Sequence, residues 1–368
     1  MPNGKVLVVG GAGYVGCVLI EVLLEKGYSV RVLDRMFFGH APAQSFRDRV
    51  ELVEEDMREV SAADVQDCGA VINVGGLSND PTAEFDPQAN EELNHRAAVH
   101  LAEVAKQAGV ARLIFASTAS IYDRGVGEDA RDVLQDEDSP VEPRAAYAIS
   151  KLAAEREILA MADTGFAPMA FRKGTIFGFS PRMRYDLVVN AFVKDALATG
   201  RLNVFMGGEM WRPLIDVEDV ARAYVIALDA DAGQVGGQVF NLSAGNFRIA
   251  ELALRTRRAL RAVDVAADIN VDYENRLVRS YRISGKKAER VLGFSPRVSV
   301  EESVARMVRQ VRALGLTDYS HPRYYNIEWM KALEEAAGIV RRHGYVLSRP
   351  AGAEEGVARI ADRSRRSG

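Results

Sequence analysis

Lys5-Val6-Leu7-Val8-Val9-Gly10-Gly11-Ala12-Gly13-Tyr14-Val15-Gly16 is the stretch that decides the fold. Val6 to Val9 is a short apolar, β-branched run, the composition of a buried strand. Glycines follow at 10, 13 and 16, and Val15, Val18, Leu19, Val22 and Leu23 then recur at helical spacing. A bare glycine pattern says little. Between a strand and a helix it reads as a dinucleotide-binding turn: the glycines permit the tight bend, let backbone N–H groups approach a diphosphate, and let the helix pack on the sheet. Gly10, Gly13, Tyr14, Val15 and Gly16 are therefore candidate cofactor contacts.

Working outward, Ser29–Asp34, Ala70–Val74, Arg112–Ser117 and Pro168–Arg172 read as further strands separated by helical patterns. Such alternation implies right-handed crossovers and an α/β, Rossmann-type, doubly wound parallel sheet with ligands at the strands' carboxyl ends. The rhythm loosens at Ser180-Pro181-Arg182-Met183-Arg184-Tyr185-Asp186. The expected organisation is a nucleotide-binding domain over 1–178, to which 213–245 returns. A smaller, interleaved substrate lobe takes 179–212 and 246–345, and 350–368 forms a loose tail.

The bulk properties narrow the function. The chain has 368 residues, is 48% hydrophobic and carries a net charge of −4 with interspersed signs, which argues against a broad nucleic-acid-binding face. No run approaches the roughly 20 apolar residues of a membrane helix. The start enters a strand without a signal-peptide pattern, so the cytoplasm is the expected compartment. Cys17 and Cys68 suit reduced, packed thiols better than a disulfide framework. His40, His95, His100, His321 and His343 have no ligand-like spacing, and no metal is expected.

Asp34 ends the second strand 34 − 13 = 21 positions after the middle glycine, where a carboxylate accepts hydrogen bonds from the adenosine ribose. It would repel a 2′-phosphate, which favours NAD over NADP; Arg35 beside it pulls the other way. Tyr147-Ala148-Ile149-Ser150-Lys151 puts a phenol and an ammonium on one face of a helix expected over Ala145–Asp163. A nearby ammonium favours the phenolate and makes a general base. Of the 12 tyrosines, only Tyr147 has a lysine four positions on. Chance alone produces such pairs often, so its placement after the fifth strand, whose carboxyl end carries Thr118, is what gives it weight.

The glycine turn, Asp34, Asp56-Met57, Asn94, Thr118, Tyr147-Lys151 and Trp211-Arg212-Pro213-Leu214-Ile215-Asp216-Val217-Glu218-Asp219-Val220 together resemble the extended short-chain dehydrogenase/reductase family of sugar-nucleotide epimerases and dehydratases. The resemblance runs in order from about residue 5 to 315. It implies that Thr118 hydrogen-bonds a sugar hydroxyl, Tyr147 removes its proton, and Lys151 binds the nicotinamide ribose while tuning Tyr147, as hydride passes from C4 to NAD. It further implies Asp56 and Met57 at the adenine, and Gly75 and Asn94 on the cofactor side. Ser78, Asn79, Ser120, Thr175, Arg184, Asn190, Arg212 and Arg279 fall on the substrate side, with Arg212 on the diphosphate. Arg276 and Arg282 compete with Arg279 for that role, and Arg182 and Arg184 could instead form an exposed charged turn. A homodimer pairing helices near Leu93–Ala108 and Ala145–Met161 is also implied.

Dehydratases of this family carry Asp-Glu directly after the catalytic hydroxyl, and the related decarboxylases keep the second carboxylate. Here Ala119 and Ser120 stand there, leaving elimination without an evident acid or base. The expectation is an NAD-dependent nucleotide-sugar 4-epimerase acting on a nucleotide-diphosphate sugar. A C4 dehydrogenase or ketoreductase is the alternative, and a 4,6-dehydratase or a non-catalytic NAD-binding protein is disfavoured. Several departures from the family pattern, namely Val74–Pro81, Asp123, Thr175, Arg279–Arg282 and Pro322-Arg323-Tyr324-Tyr325-Asn326, are similar to a branch that includes heptose-acting enzymes. Heptose thus stands beside hexose as the sugar.

Overall fold

The computed structural model describes residues 4–123, 133–274 and 280–343. Along the chain run β1 (Lys5–Val9), α1 (Tyr14–Glu25), β2 (Val30–Leu33), β3 (Glu51–Val53), β4 (Cys68–Asn73), α2 (Ala97–Gln107), β5 (Arg112–Thr118) and α3 (Ala146–Ala160). They are followed by β6 (Ala167–Lys173), β7 (Thr175–Phe177), α4 (Val188–Thr199), β8 (Trp211–Asp216), α5 (Val217–Asp229), β9 (Gln238–Leu242) and β10 (Gly245–Arg248). The last large elements are α6 (Ile249–Arg261), α7 (Val300–Ala313) and α8 (Asn326–His343).

Seven strands form one parallel sheet in the order β9-β6-β5-β4-β1-β2-β3. This is the doubly wound arrangement expected. Alternation within β1 shows why both faces are covered: Val6 and Val8 pack with α1 and α5 residues such as Leu19 and Tyr224, while Leu7 and Val9 share a core with Leu101 of α2 and Ile158 of α3. A separate core, built on Phe177, Tyr185, Phe192, Leu252, Val304 and Met307, joins α4, α6 and α7.

One strand of the segment expected to return to the nucleotide domain, β8, lies outside the seven-stranded sheet, in a three-stranded sheet between β7 and β10. The reason is local. After β6 the chain breaks at Gly174, where an added Cβ would stand 2.8 Å from the Pro213 carbonyl oxygen, and resumes as β7 beside Leu214–Asp216. The return to the nucleotide sheet is made by α5 and β9. No helix among the described residues is long and apolar enough to cross a membrane. Cys17 and Cys68 are free and buried. The expected tail at 350–368 lies outside the described residues.

Candidate functional site

A cleft of about 550 Å³ opens at the carboxyl ends of β1, β2, β4, β5 and β6. Its first wall is the glycine turn. Gly10 has φ +80°, and a Cβ there would stand 2.5 Å from Gly75 Cα. At Gly16 it would stand 2.3 Å from the Gly10 carbonyl oxygen, so the turn closes only without side chains. Helix α1 then begins with no side-chain cap and no acidic residue in its first turn, leaving its N–H groups and positive dipole end toward the cleft.

Asp34, Arg35, Asp56, Met57 and Gly75 line this half. The Asp34 carboxylate accepts from Ala12 N at 2.9 Å and from Met36 N at 2.8 Å. Burial raises its pKa, and these two N–H groups oppose the rise. Arg35 does not point freely at the ribose, because its Nη1 donates to Asp56 at 3.1 Å. Arg58 grips the same carboxylate through two nitrogens, at 3.0 and 2.8 Å. Asn94 is fully buried; its Nδ2 donates to Leu77 O (2.9 Å) and to Asn90 Oδ1 (2.7 Å), while its Oδ1 has no protein partner. That oxygen explains Gly76, where a Cβ would lie 2.3 Å from it.

Thr118 ends β5 and bonds Ser120 Oγ at 2.9 Å, with Ser120 N donating to Thr118 Oγ1 at 3.2 Å. Tyr147 and Lys151 enter the cleft from the first turns of α3. Lys151 Nζ lies 4.8 Å from the Phe115 ring centroid, and burial alone pushes its pKa down to about 7. The helix is fastened one turn further on. Glu155 accepts from Ser117 Oγ (2.6 Å) and pairs with Arg172 at 2.5 Å, and Arg172 also donates to Tyr122 OH at 2.7 Å. This buried network ties α3 to β5 and β6 and so fixes where Lys151 emerges.

The far wall comes from distant segments. Arg184 is buried, donates to Ser78 Oγ at 2.8 Å, and grips Asp186 at 2.9 and 2.6 Å. Asn79, at φ +78°, caps a short helix through Thr82 N and reaches Asp186 at 3.3 Å. Thr175 and Arg212 also line the cleft, with Arg212 near the Tyr281 ring (5.8 Å). Arg182 is buried as well, so the alternative of an exposed charged turn at 182–184 is wrong. Asn190 is a second correction. It lines no part of the cleft, since its amide is consumed by Gly178 N (2.9 Å), Tyr14 OH (3.1 Å) and Arg184 O (2.8 Å). Arg279 and Arg276 lie outside the described residues.

Three contributors were not singled out for the site from sequence. Lys173 stands in register with Thr118 on the cleft floor and donates to Tyr224 OH at 3.3 Å. Burial, and after it the Lys151 ammonium, hold its amine well below the usual lysine range. A charged residue closing an apolar strand was the available signal. Phe38 and Asn326 also line the cleft, the latter from the start of α8, whose Trp329 Nε1 donates to Phe37 O at 2.6 Å.

Among known proteins, the model of the NAD dependent epimerase/dehydratase family matches residues 6–243. A UDP-glucose 4-epimerase of Corynebacterium glutamicum is 29% identical over 79% of this chain and 91% of its own. A UDP-glucuronic acid decarboxylase 1 of Xenopus tropicalis is 25% identical over 84% of this chain and 72% of its own. Among solved structures, MoeE5 in complex with UDP-glucuronic acid and NAD superposes with a TM-score of 0.71 and 25% identity over 84% of this chain and all of that one. A Rossmann-type sheet with an uncapped helix behind a glycine turn is the architecture of a dinucleotide-binding protein. The chain belongs to the NAD-dependent epimerase/dehydratase family, and its cofactor is NAD. The site fits that group: a Cβ at Gly13 would meet only the Gly10 carbonyl oxygen, at 3.1 Å, so the space in front of the turn is open.

Proposed function

We propose that the chain is a nucleotide-sugar 4-epimerase in which Thr118, Tyr147 and Lys151 work on the C4 hydroxyl of the sugar. The observation that carries this reading is the shared cleft: these three groups meet there, while Ala119 and Ser120 occupy the places where elimination would need carboxylates. NAD, held in this proposal by Gly10, Gly13, Tyr14, Val15, Gly16, Asp34, Asp56, Met57, Gly75 and Asn94, supplies a hydride acceptor at C4 that can give the hydride back.

The protein's own part is proton traffic and orientation. Thr118, fixed by Ser120, orients the C4 hydroxyl, and Tyr147 takes its proton. Lys151 holds the nicotinamide ribose and supports the phenolate of Tyr147 in its protonated form. When C4 is reduced from the opposite face, Tyr147 returns the proton to O4. Arg212 with Tyr281 marks the diphosphate end, and Ser78 with Arg184 closes the side of the cleft. We also propose a homodimer through α2 and α3, where Ile149 is 49% exposed on the outer face of α3.

The test is incubation with a panel of nucleotide hexoses and heptoses without added cofactor, followed by product analysis. Inversion at C4 is expected. A keto product, or a requirement for NADPH, would replace the epimerase with a C4 dehydrogenase or ketoreductase, and loss of water would identify a dehydratase.

A further inference from the structure

Arg182 is a buried cation without a matching anion. It is 3% exposed, and its guanidinium lies 3.5 Å from the Phe38 ring centroid. Nη2 donates to Asn326 Oδ1 at 2.5 Å, whereas Nε is closed off from solvent with no protein partner. Among the described residues no carboxylate forms an ion pair with it; Asp186, whose charge reaches it, is held by Nε and Nη2 of Arg184. Burial accordingly pushes the Arg182 guanidinium down to about 9. Keeping such a group in a protein interior is costly unless a ligand supplies the missing charge.

What Arg182 faces identifies that ligand. It lines the same cleft as Gly10, Gly13 and Tyr14, at the uncapped start of α1. The segment that carries it is bound to the glycine turn, with Ser180 Oγ donating to Tyr14 O at 2.7 Å and Tyr14 OH donating to Gly178 O at 2.7 Å. A helix N-terminus and an unmatched guanidinium therefore border the same cleft, and both favour a diphosphate. We propose that Arg182 is a ligand of the NAD diphosphate and that Asn326 of α8 is its positioning residue.

This assigns a task to α8, the last helix among the described residues. Asn326 bonds Arg182 and, through Nδ2, Ser78 Oγ at 2.8 Å, while Trp329 holds the loop after β2 through Phe37 O. Helix α8 thereby joins the two sides of the cofactor cleft and slows escape of the nucleotide. The inference rests on NAD as cofactor and not on the epimerase assignment.

The experiment uses full-length protein stripped of nucleotide, titrated calorimetrically with NADH, ADP and adenosine. For Arg182→Gln, NADH and ADP should each bind about 10- to 100-fold more weakly, the range expected for charge-assisted hydrogen bonds, with adenosine unchanged. Arg182→Lys should recover part of the loss, and Asn326→Ala should lose about 3- to 10-fold with the same pattern. Unchanged ADP affinity in Arg182→Gln overturns the proposal, as does equal weakening of ADP and adenosine, which would mark a structural role. If Arg182→Gln does not fold, Arg182→Lys and Asn326→Ala decide, and wild-type NADH and ADP affinity in both refutes it. A failed sugar panel would leave these titrations untouched.

Discussion

The two walls of the cleft are built in opposite ways. The wall formed by Gly10–Gly16, Thr118, Tyr147 and Lys151 consists of short contiguous motifs at strand ends, each shaped by its own backbone. The facing wall, formed by Phe38, Ser78, Arg182, Arg184 and Asn326, joins three loops and the start of α8 through side-chain hydrogen bonds and a cation–π contact. The first wall carries the chemistry in our proposal, and the second carries retention and selectivity. Substitutions should separate the two.

The largest expected effect is on the first wall. Tyr147→Phe should lower turnover by about 10²- to 10⁴-fold, the usual worth of a positioned general base, with NADH affinity nearly unchanged in a fluorescence titration. Unchanged turnover would remove Tyr147 from the mechanism. Gly16→Ala should act through the backbone instead: the new Cβ collides with the Gly10 carbonyl, and overpacking of about 1–3 kcal/mol is expected. Its signature is weaker NADH binding together with a lower Tm, and wild-type values for both would show that the turn has slack.

Lys151 gives a smaller effect with a defined sign. Its pKa in the folded chain is about 7, below the ordinary lysine value, so between those two pH values the unfolded chain binds more protons and stability rises with pH. Lys151→Met should lower turnover and yet raise the Tm of NAD-free protein by several degrees near neutrality, the gap closing as pH approaches ~10. A gap independent of pH would mean that the buried amine carries no such penalty. The smallest effect belongs to the second wall. Trp329→Phe removes the bond to Phe37 O and should hasten NADH loss in a chase experiment by about 2- to 10-fold, and an unchanged rate would mean that α8 does not hold the loop.

The same contrast explains what was legible in the sequence. Strand, glycine turn and helix could be read because their determinants lie within a dozen residues, and Tyr147 with Lys151 because helical geometry fixes a four-residue spacing. That β8 lies in a separate sheet was not legible, since the interruption that sets it there is the contact of Gly174 with Pro213, 39 residues away in the chain. Asn190 misled for a related reason. The resemblance put it on the substrate side, but the tertiary fold uses its amide as a clamp between Gly178 and Tyr14. Arg182 showed only its charge, and nothing in its neighbourhood in the chain announces Phe38 or Asn326.

The chain has two tryptophans, and they have different neighbours. Trp329 leans toward the Phe38 ring at 6.4 Å beside the cofactor cleft, and the Trp211 ring has the guanidinium groups of Arg248 and Arg282 at 5.2 and 5.0 Å, next in the chain to Arg212 at the proposed diphosphate end. Reduced nicotinamide absorbs where indole emits, so energy transfer from Trp329 would report occupancy of the cofactor without any attached dye. Quenching of Trp211 would report arrival of the sugar nucleotide. With one indole replaced by phenylalanine in turn, the molecule becomes its own two-channel optical sensor.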